Sequence, residues 1–324
     1  MRRALPAALT LGAFLLPLGF MDLPTYLTLT VAGLAMGMLV FLVAAGLTLI
    51  FGLMDVLNFA HGALFSWGAY IGFTVLVALD ARWRWAATPS LALNALLLLA
   101  AVVAAMLLAL ALGVVLERVV VRPVYGQHMF QILITLGATI VIEELIRIVW
   151  GPNDQVVPVP FTLQGSWAVL DVIVLRVPVL AIALGLVVYA GVMLGLTRTR
   201  VGLIVRAGVE NREMIQALGH NISRYFTAVF AAGSALAALG GVMWAVFSQS
   251  VRPTMGAEQL IFAFIVVIIG GLGSVTGSLV GALVVGLTYN YVAFLVPKAA
   301  IGVNMALMVL ILLARPTGLF APGK

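Results

Sequence analysis

Asp55, Asn58 and His61 are the side chains of this sequence best placed to do chemistry. They stand in FGLMDVLNFAHGALFSWGAYIG, Phe51 to Gly72, directly after an almost uninterrupted apolar run from Tyr26 to Phe51. Such polar groups can hydrogen-bond a small polar solute, and each costs free energy in apolar surroundings unless it finds a partner or faces water. A membrane anchor has no use for them, whereas a transport pathway does. If the segment is helical, Asn58 and His61 lie one turn apart and face the same way. Lining a pathway and a buried, hydrogen-bonded structural role both fit them.

A second charged group is Glu143 and Glu144, four and three residues before Arg147. That spacing favours an intramembrane ion pair over the acidic relay of an ion-coupled carrier. An intramembrane enzyme would have to draw on His61, His128, His220, Glu143 and Glu144. The histidines are far apart in sequence and neither HExxH nor GxSxG occurs, so no catalytic residue is expected. The absence of cysteine excludes disulfides, thiol catalysis and thiolate metal sites. A phosphate-binding loop ends in a lysine followed by serine or threonine. Lys298 and Lys324 are the only lysines and neither stands in that setting. No cofactor is expected, and energy from ATP would have to come through a partner.

Of the 324 residues, 9% are charged and 64% hydrophobic, and the mean hydropathy is +1.22. Soluble domains carry roughly 25% charged residues, so the chain reads as an integral membrane protein. The apolar runs are too long for barrel strands, and helices alone pair their backbone within one segment. The fold class expected is all-α and polytopic, with eight to ten transmembrane helices in one domain over 1–324. A retained first span is read at Ala4 to Phe20. Apolar segments follow at 25–51, 62–79, 91–116, 129–150, 178–197, 224–247, 259–270, 277–296 and 300–314.

Both termini are expected inside. Arg2, Arg3, Arg118, Arg122, Arg198, Arg200, Arg206, Arg212, Arg224, Arg315 and Lys324 then lie on the inner side. Arg82, Arg84, Arg176, Arg252 and Lys298 lie outside, an imbalance that obeys the positive-inside rule. The net charge of +6 is thus a topology signal, and no nucleic-acid partner is implied. The outer loop Gly151 to Pro178 has alternating apolar stretches that predict a small hairpin or interfacial element.

Two glycine-rich segments interrupt the spans. In IIGGLGSVTGSLVGALVVG, Ile268 to Gly286, the residues Gly273, Gly277 and Gly281 recur every four positions, which lets another helix approach to backbone distance. Gly270 and Gly271 predict a chain break. Gly52, Gly62, Ser66, Gly68 and Gly72 form a looser version in the first half. Interrupted helices in two halves point to a transport pathway near their junction, with Gly62, Gly270, Gly271, Gly273 and Ser274 beside it; close helix packing is the other reading. The inner loop, about 198–224, reads TRTRVGLIVRAGVENREMIQALGHNISRYF from Thr197. Arg212 to Leu218 can form a short helix capped by Asn211, with Met214, Ile215 and Leu218 on an apolar face. It suits docking into a partner's groove, or lies on anionic lipid.

LTLIFGLMDVLNFAHGALFSWGAY, the RAGVENREMIQALGHNISR loop, VIIGGLGSVTGSLVGALVVG and the terminal ARPTGLF occur together and in this order. Their combination resembles the branched-chain amino acid ABC transporter permeases, and the Asn58–Gly62 stretch NFAHG is closer to the LivH type than to its LivM-type partner. The resemblance covers nearly the whole chain. It implies an importer in the bacterial inner membrane with a second, homologous permease, two cytoplasmic ATPase subunits that bind ATP, and a periplasmic or extracellular solute-binding protein. It also implies that the inner loop is the ATPase-coupling segment, which covers Arg206, Asn211, Met214, Ile215, Ala217, Leu218 and Gly219. Ala63 departs from an acidic residue in many members. Importers of urea and short amides share much of the pattern, so the solute stays open.

Overall fold

The computed structural model describes Gly12, Gly19 and residues 21–169, 172–210 and 212–320. The expected first span, Ala4 to Phe20, falls almost wholly outside them, as does Asn211. The helices are α1 (Leu23–Met54), α2 (His61–Trp83), α3 (Leu91–Leu116), α4 (His128–Trp150), α5 (Arg176–Arg198), α6 (Arg200–Glu210), α7 (Arg212–Ala217), α8 (Ile222–Ser248), α9 (Met255–Gly270), α10 (Val275–Leu295) and α11 (Ala300–Ala314). Six, namely α1, α2, α3, α5, α8 and α10, are long and apolar enough to cross a membrane. The shorter α9 and α11 are also apolar. The protein is an all-α polytopic membrane protein.

Helix α1 is the central post. Asp22 caps it, accepting from the Thr25 N–H, and those Thr25 hydrogen bonds hold the Asp22 carboxyl below its ordinary range. A helix that is apolar all round is covered by protein or by lipid, and α1 is covered by protein, packing on α5, α8, α9 and α10. Small residues permit this. A methyl group at Gly37 would sit 2.6 Å from the Ala282 carbonyl oxygen of α10, and one at Gly233 of α8 would sit 2.8 Å from the Gly46 carbonyl oxygen. Two hydroxyl pairs cross the same seam, Thr48 with Ser278 at 2.6 Å and Thr30 with Tyr291 at 2.7 Å.

Outside the post, α2 packs on α8, α3 and α9. Helix α3 shows how composition selects a face. Its buried residues Asn94, Leu97, Ala101, Ala105, Ala109 and Gly113 recur about once per turn, while Leu99, Leu107 and Leu110 are exposed. The small face lies on α8, where Gly113 faces Ser234. Helix α4 stands at the edge, held to α2 by Trp67 Nε1 donating to the Ile142 carbonyl and Trp150 Nε1 donating to Thr74.

The loop after α4 does contain a hairpin, β2 (Ser166–Val169) with β3 (Val172–Leu175). A second short pairing, β1 (Gln155–Val156) with β4 (Ser250–Val251), ties this loop to the end of α8. Helix edges differ from the sequence segments by a few residues, because polar residues such as His61 and His128 join the helices that apolarity alone would start later.

Candidate functional site

The first break is a buried loop. Helix α1 ends at Asp55, which adopts a left-handed conformation (φ 54°, ψ 41°) and returns its N–H to the Phe51 carbonyl. Aspartate tolerates that region better than most residues. The Asp55 side chain is exposed, 3.6 Å from His128 Nε2. The chain then turns inward. Val56 packs with Ile50, Val121 and Phe230, the Phe59 N–H donates to Thr135 Oγ1 of α4, and the Phe59 ring lies 5.0 Å from that of Phe264.

Asn58 and His61 are both fully buried, at 0% exposure. Neither amide atom of the Asn58 side chain has a hydrogen-bond partner. His61 Nε2 lies 3.0 Å from the Val43 carbonyl oxygen. A carbonyl only accepts, so Nε2 carries the proton, and Nδ1 is left without a partner. The ring fits because α1 carries glycine opposite: a methyl group at Gly46 would sit 2.9 Å from His61 Cε1. One expectation changes here. Asn58 lies in the loop and not on a helix, since α2 starts only at His61, so no shared helical face exists. A turn joins the two residues instead, the His61 N–H facing the Asn58 carbonyl at 3.4 Å. Three unpartnered polar atoms in a dry setting interact with a hydrogen-bonding guest far more strongly than they would in water.

Gly62, one residue on, is used for packing: a methyl group there would meet the Gly256 carbonyl oxygen at 2.5 Å. Beside it, Ser66 Oγ accepts from the Gly256 N–H at 2.9 Å.

The second break, between α9 and α10, is built from contacts within the chain. Gly271 has φ of 107°, a conformation side chains strongly disfavour. Ser274 caps α10, accepting from the Gly277 N–H. Gly270 lies against Gly277, Gly281 against the Val266 carbonyl, and Gly273 against Gly52 of α1. The terminal RPTGLF stretch explains itself here: the Leu319 and Phe320 N–H groups donate to the Ile269 and Gly270 carbonyls at 2.8 and 3.0 Å. The second break therefore packs on the last turn of α1, just before the first break.

The inner loop folds into two helices, α6 and α7. Arg206 is exposed and its Nε donates to the Gly202 carbonyl. Helix α7 ends in a glycine turn: Gly219 has φ of 85°, its N–H bonds the Gln216 carbonyl, and the His220 N–H bonds that of Ile215. This double bond pattern satisfies the last carbonyls. The expected apolar face divides. Ile215 turns inward onto Ile222 and Phe226, while Met214 and Leu218 are 53% and 68% exposed. Ala217 is exposed as well.

On α4, Arg147 Nη1 pairs with Glu144 Oε2 at 2.9 Å, both partly exposed. Glu143 does not join by hydrogen bond, and its Oε1 is enclosed without a partner. Glu117 escaped the sequence reading. It starts the π-helical turn Glu117–Val121 that continues α3, is 0% exposed, and accepts from the Tyr125 hydroxyl at 2.5 Å and the Thr227 hydroxyl at 2.8 Å. Its one usable signal is an acidic residue at the end of an apolar span with arginine next to it.

A central enclosed post, interrupted helices near its end and unpartnered polar groups in the first break belong to a polytopic membrane protein whose shape fits a permease. Residues 29–314 match the family described as branched-chain amino acid transport system / permease component, and the chain belongs to that family. Over 300 residues it is 29% identical to the high-affinity branched-chain amino acid transport system permease protein LivH of Escherichia coli K12, covering 89% of this chain and 92% of that one. It is 28% identical over 299 residues to BraD of Pseudomonas aeruginosa, described in the same words, covering 91% and 95%. A probable branched-chain amino acid transport permease protein LivH of Methanocaldococcus jannaschii is 27% identical over 265 residues, covering 81% and 79%. No solved structure matches the chain.

Proposed function

We propose that this chain is the LivH-type permease subunit of an ATP-driven importer that passes branched-chain amino acids inward through the first break. The observation that supports this reading is the buried loop at Asn58 and His61. Its unpartnered amide and imidazole atoms match the needs of a small zwitterion, which carries an acceptor and a donor at one end and an apolar branch at the other. The names of the relatives favour branched-chain amino acids over urea or short amides, the runner-up solutes.

The remaining parts of the importer are a LivM-type permease beside this one, two cytoplasmic ATPases on the inner loop and an extracytoplasmic solute-binding protein. The complex sits in the bacterial inner membrane, with the termini of this subunit in the cytoplasm. Exposed Met214 and Leu218 on α7 offer the ATPase an apolar foothold. Met214→Asp with Leu218→Asp should abolish copurification of the ATPase while leaving the permease in the membrane.

Uptake decides the class. With the proton gradient collapsed and ATP maintained, uptake of leucine, isoleucine and valine should persist. Loss under those conditions would make the protein an ion-coupled carrier, and uptake of urea or acetamide in place of leucine would move the solute to the runner-up.

A further inference from the structure

At the arginine-rich end of the bundle, a cleft of about 540 Å³ opens between α1, α3, α5, α6 and α8. Its walls include Leu53, Leu110, Gly191, Gly195, Val205 and Leu236. Thr199 is its polar lining residue, and that hydroxyl is already used: it donates to the Gly195 carbonyl and accepts from the Gly202 N–H. The cleft is therefore dry in character. A methyl group at Gly191 or Gly195 would meet nothing within 4 Å, so α5 stands away from its neighbours here. Gly202 sets this up, because any side chain there would collide with the Gly195 and Leu196 carbonyls where α6 folds back on α5.

Two further observations identify an occupant. Thr199 is flanked by Arg198 and Arg200, both exposed and neither in an ion pair among the described residues. The wall from Gly191 to Thr199 runs about 12 Å along α5 at 1.5 Å per residue, close to half of a hydrocarbon core of about 30 Å. A dry groove most of a leaflet deep, whose polar lining residue stands in the sequence between two exposed arginines that form no ion pair among the described residues, suits a single lipid with an anionic headgroup. We infer that this cleft binds one anionic glycerophospholipid, an acyl chain lying along Gly191 and Gly195 and the phosphate held by Arg198 and Arg200.

Basic pockets at the membrane surface favour anionic headgroups, and guanidinium is well matched to phosphate. The test is retention of lipid by the purified permease in native mass spectrometry, using phosphatidylglycerol and phosphatidylcholine with identical chains. The unchanged protein should retain phosphatidylglycerol about fivefold or more over phosphatidylcholine. Arg198→Gln with Arg200→Gln should level the two lipids, since the cleft remains. Gly195→Leu fills the cleft and should lower retention of both; Gly191→Phe reads the same effect if the leucine variant does not accumulate. Equal retention of the two lipids by the unchanged protein would overturn the assignment. So would retention indifferent to the filled cleft, including the case in which filling it releases a protein partner and leaves lipid bound.

Discussion

At the second break, the chain's polar atoms satisfy one another. Ser274 caps α10, the Ile269 and Gly270 carbonyls receive the Leu319 and Phe320 N–H groups, and the glycines lie against backbone. At the first break, by contrast, Asn58 keeps both amide atoms without partners and His61 keeps Nδ1. The two breaks lie close together, since Gly273 of the second packs on Gly52 in the last turn of α1, just before the first. The difference separates two uses of an interrupted helix: one break joins elements, and the other holds unspent hydrogen-bonding capacity at a cost of about 1–3 kcal/mol for each unsatisfied group. A structure retains such a cost most readily where function uses it.

Breaking the joint should have the largest effect. Any side chain at Gly277 collides with the Gly270 carbonyl, a backbone group with no rotamer to yield. Overpacking a tight site costs about 1–3 kcal/mol and more where backbone must move, so Gly277→Leu should leave almost no folded permease in the membrane. Size-exclusion profiles in mild detergent check this. A normal profile would mean that α9 and α10 separate freely.

The first break should respond in function before stability. Asn58→Leu removes two unpaired polar atoms, so its melting temperature should hold or rise, while uptake per assembled complex falls about tenfold, the loss expected from ~1.4 kcal/mol of binding. His61→Leu also loses the bond to Val43, so it should impair uptake and cost about 1 kcal/mol of stability as well. If Asn58→Leu transports normally, its burial is scaffold and the contrast between the breaks disappears.

A smaller loss should come from the terminal clamp on the second break. Gly318 has φ of 78°, and a methyl group there would sit 2.6 Å from Gly271 Cα. Gly318→Val should therefore lose at least about 1–2 kcal/mol from the left-handed backbone, with the collision against Gly271 adding to it, read as a lower melting temperature with uptake per complex retained.

Much of this contrast was hidden in the sequence for a physical reason. Spans are legible because lipid demands long apolar runs, and α2 to α5 and α8 to α11 lie close to the segments read from composition. The same apolarity hides which side of a helix is enclosed: nothing in the local pattern distinguishes Leu42, buried, from Leu107, exposed. Ile215 turning inward while Met214 and Leu218 stay out depends on Ile222 and Phe226, which belong to the next helix. Gly62 and the glycines from 270 to 273 read equally well as pathway or packing until their neighbours are known. The neighbours, Gly256, Gly277, Phe320 and Gly52, come from distant parts of the chain. Polarity is what singles out Asn58 and His61 in the sequence, and the helix their spacing implies is in fact a loop that holds Asn58 and ends at His61.

The smallest effect is also the sharpest comparison. Ser274 and Asn58 are both small polar residues at interrupted helices, Ser274 half-buried and Asn58 fully buried, and the sequence makes both of them pathway candidates. Ser274 Oγ accepts the Gly277 N–H at 3.1 Å, so its hydroxyl is already occupied in capping α10. Loss of an N-cap costs about 1 kcal/mol. Ser274→Ala should thus lower the melting temperature slightly and leave uptake per complex unchanged, the reverse of Asn58→Leu. Measuring both quantities on both variants gives opposite signs if the breaks are a joint and a pathway. Should Ser274→Ala abolish uptake without loss of stability, the second break would also face the solute, and the two would be halves of one site.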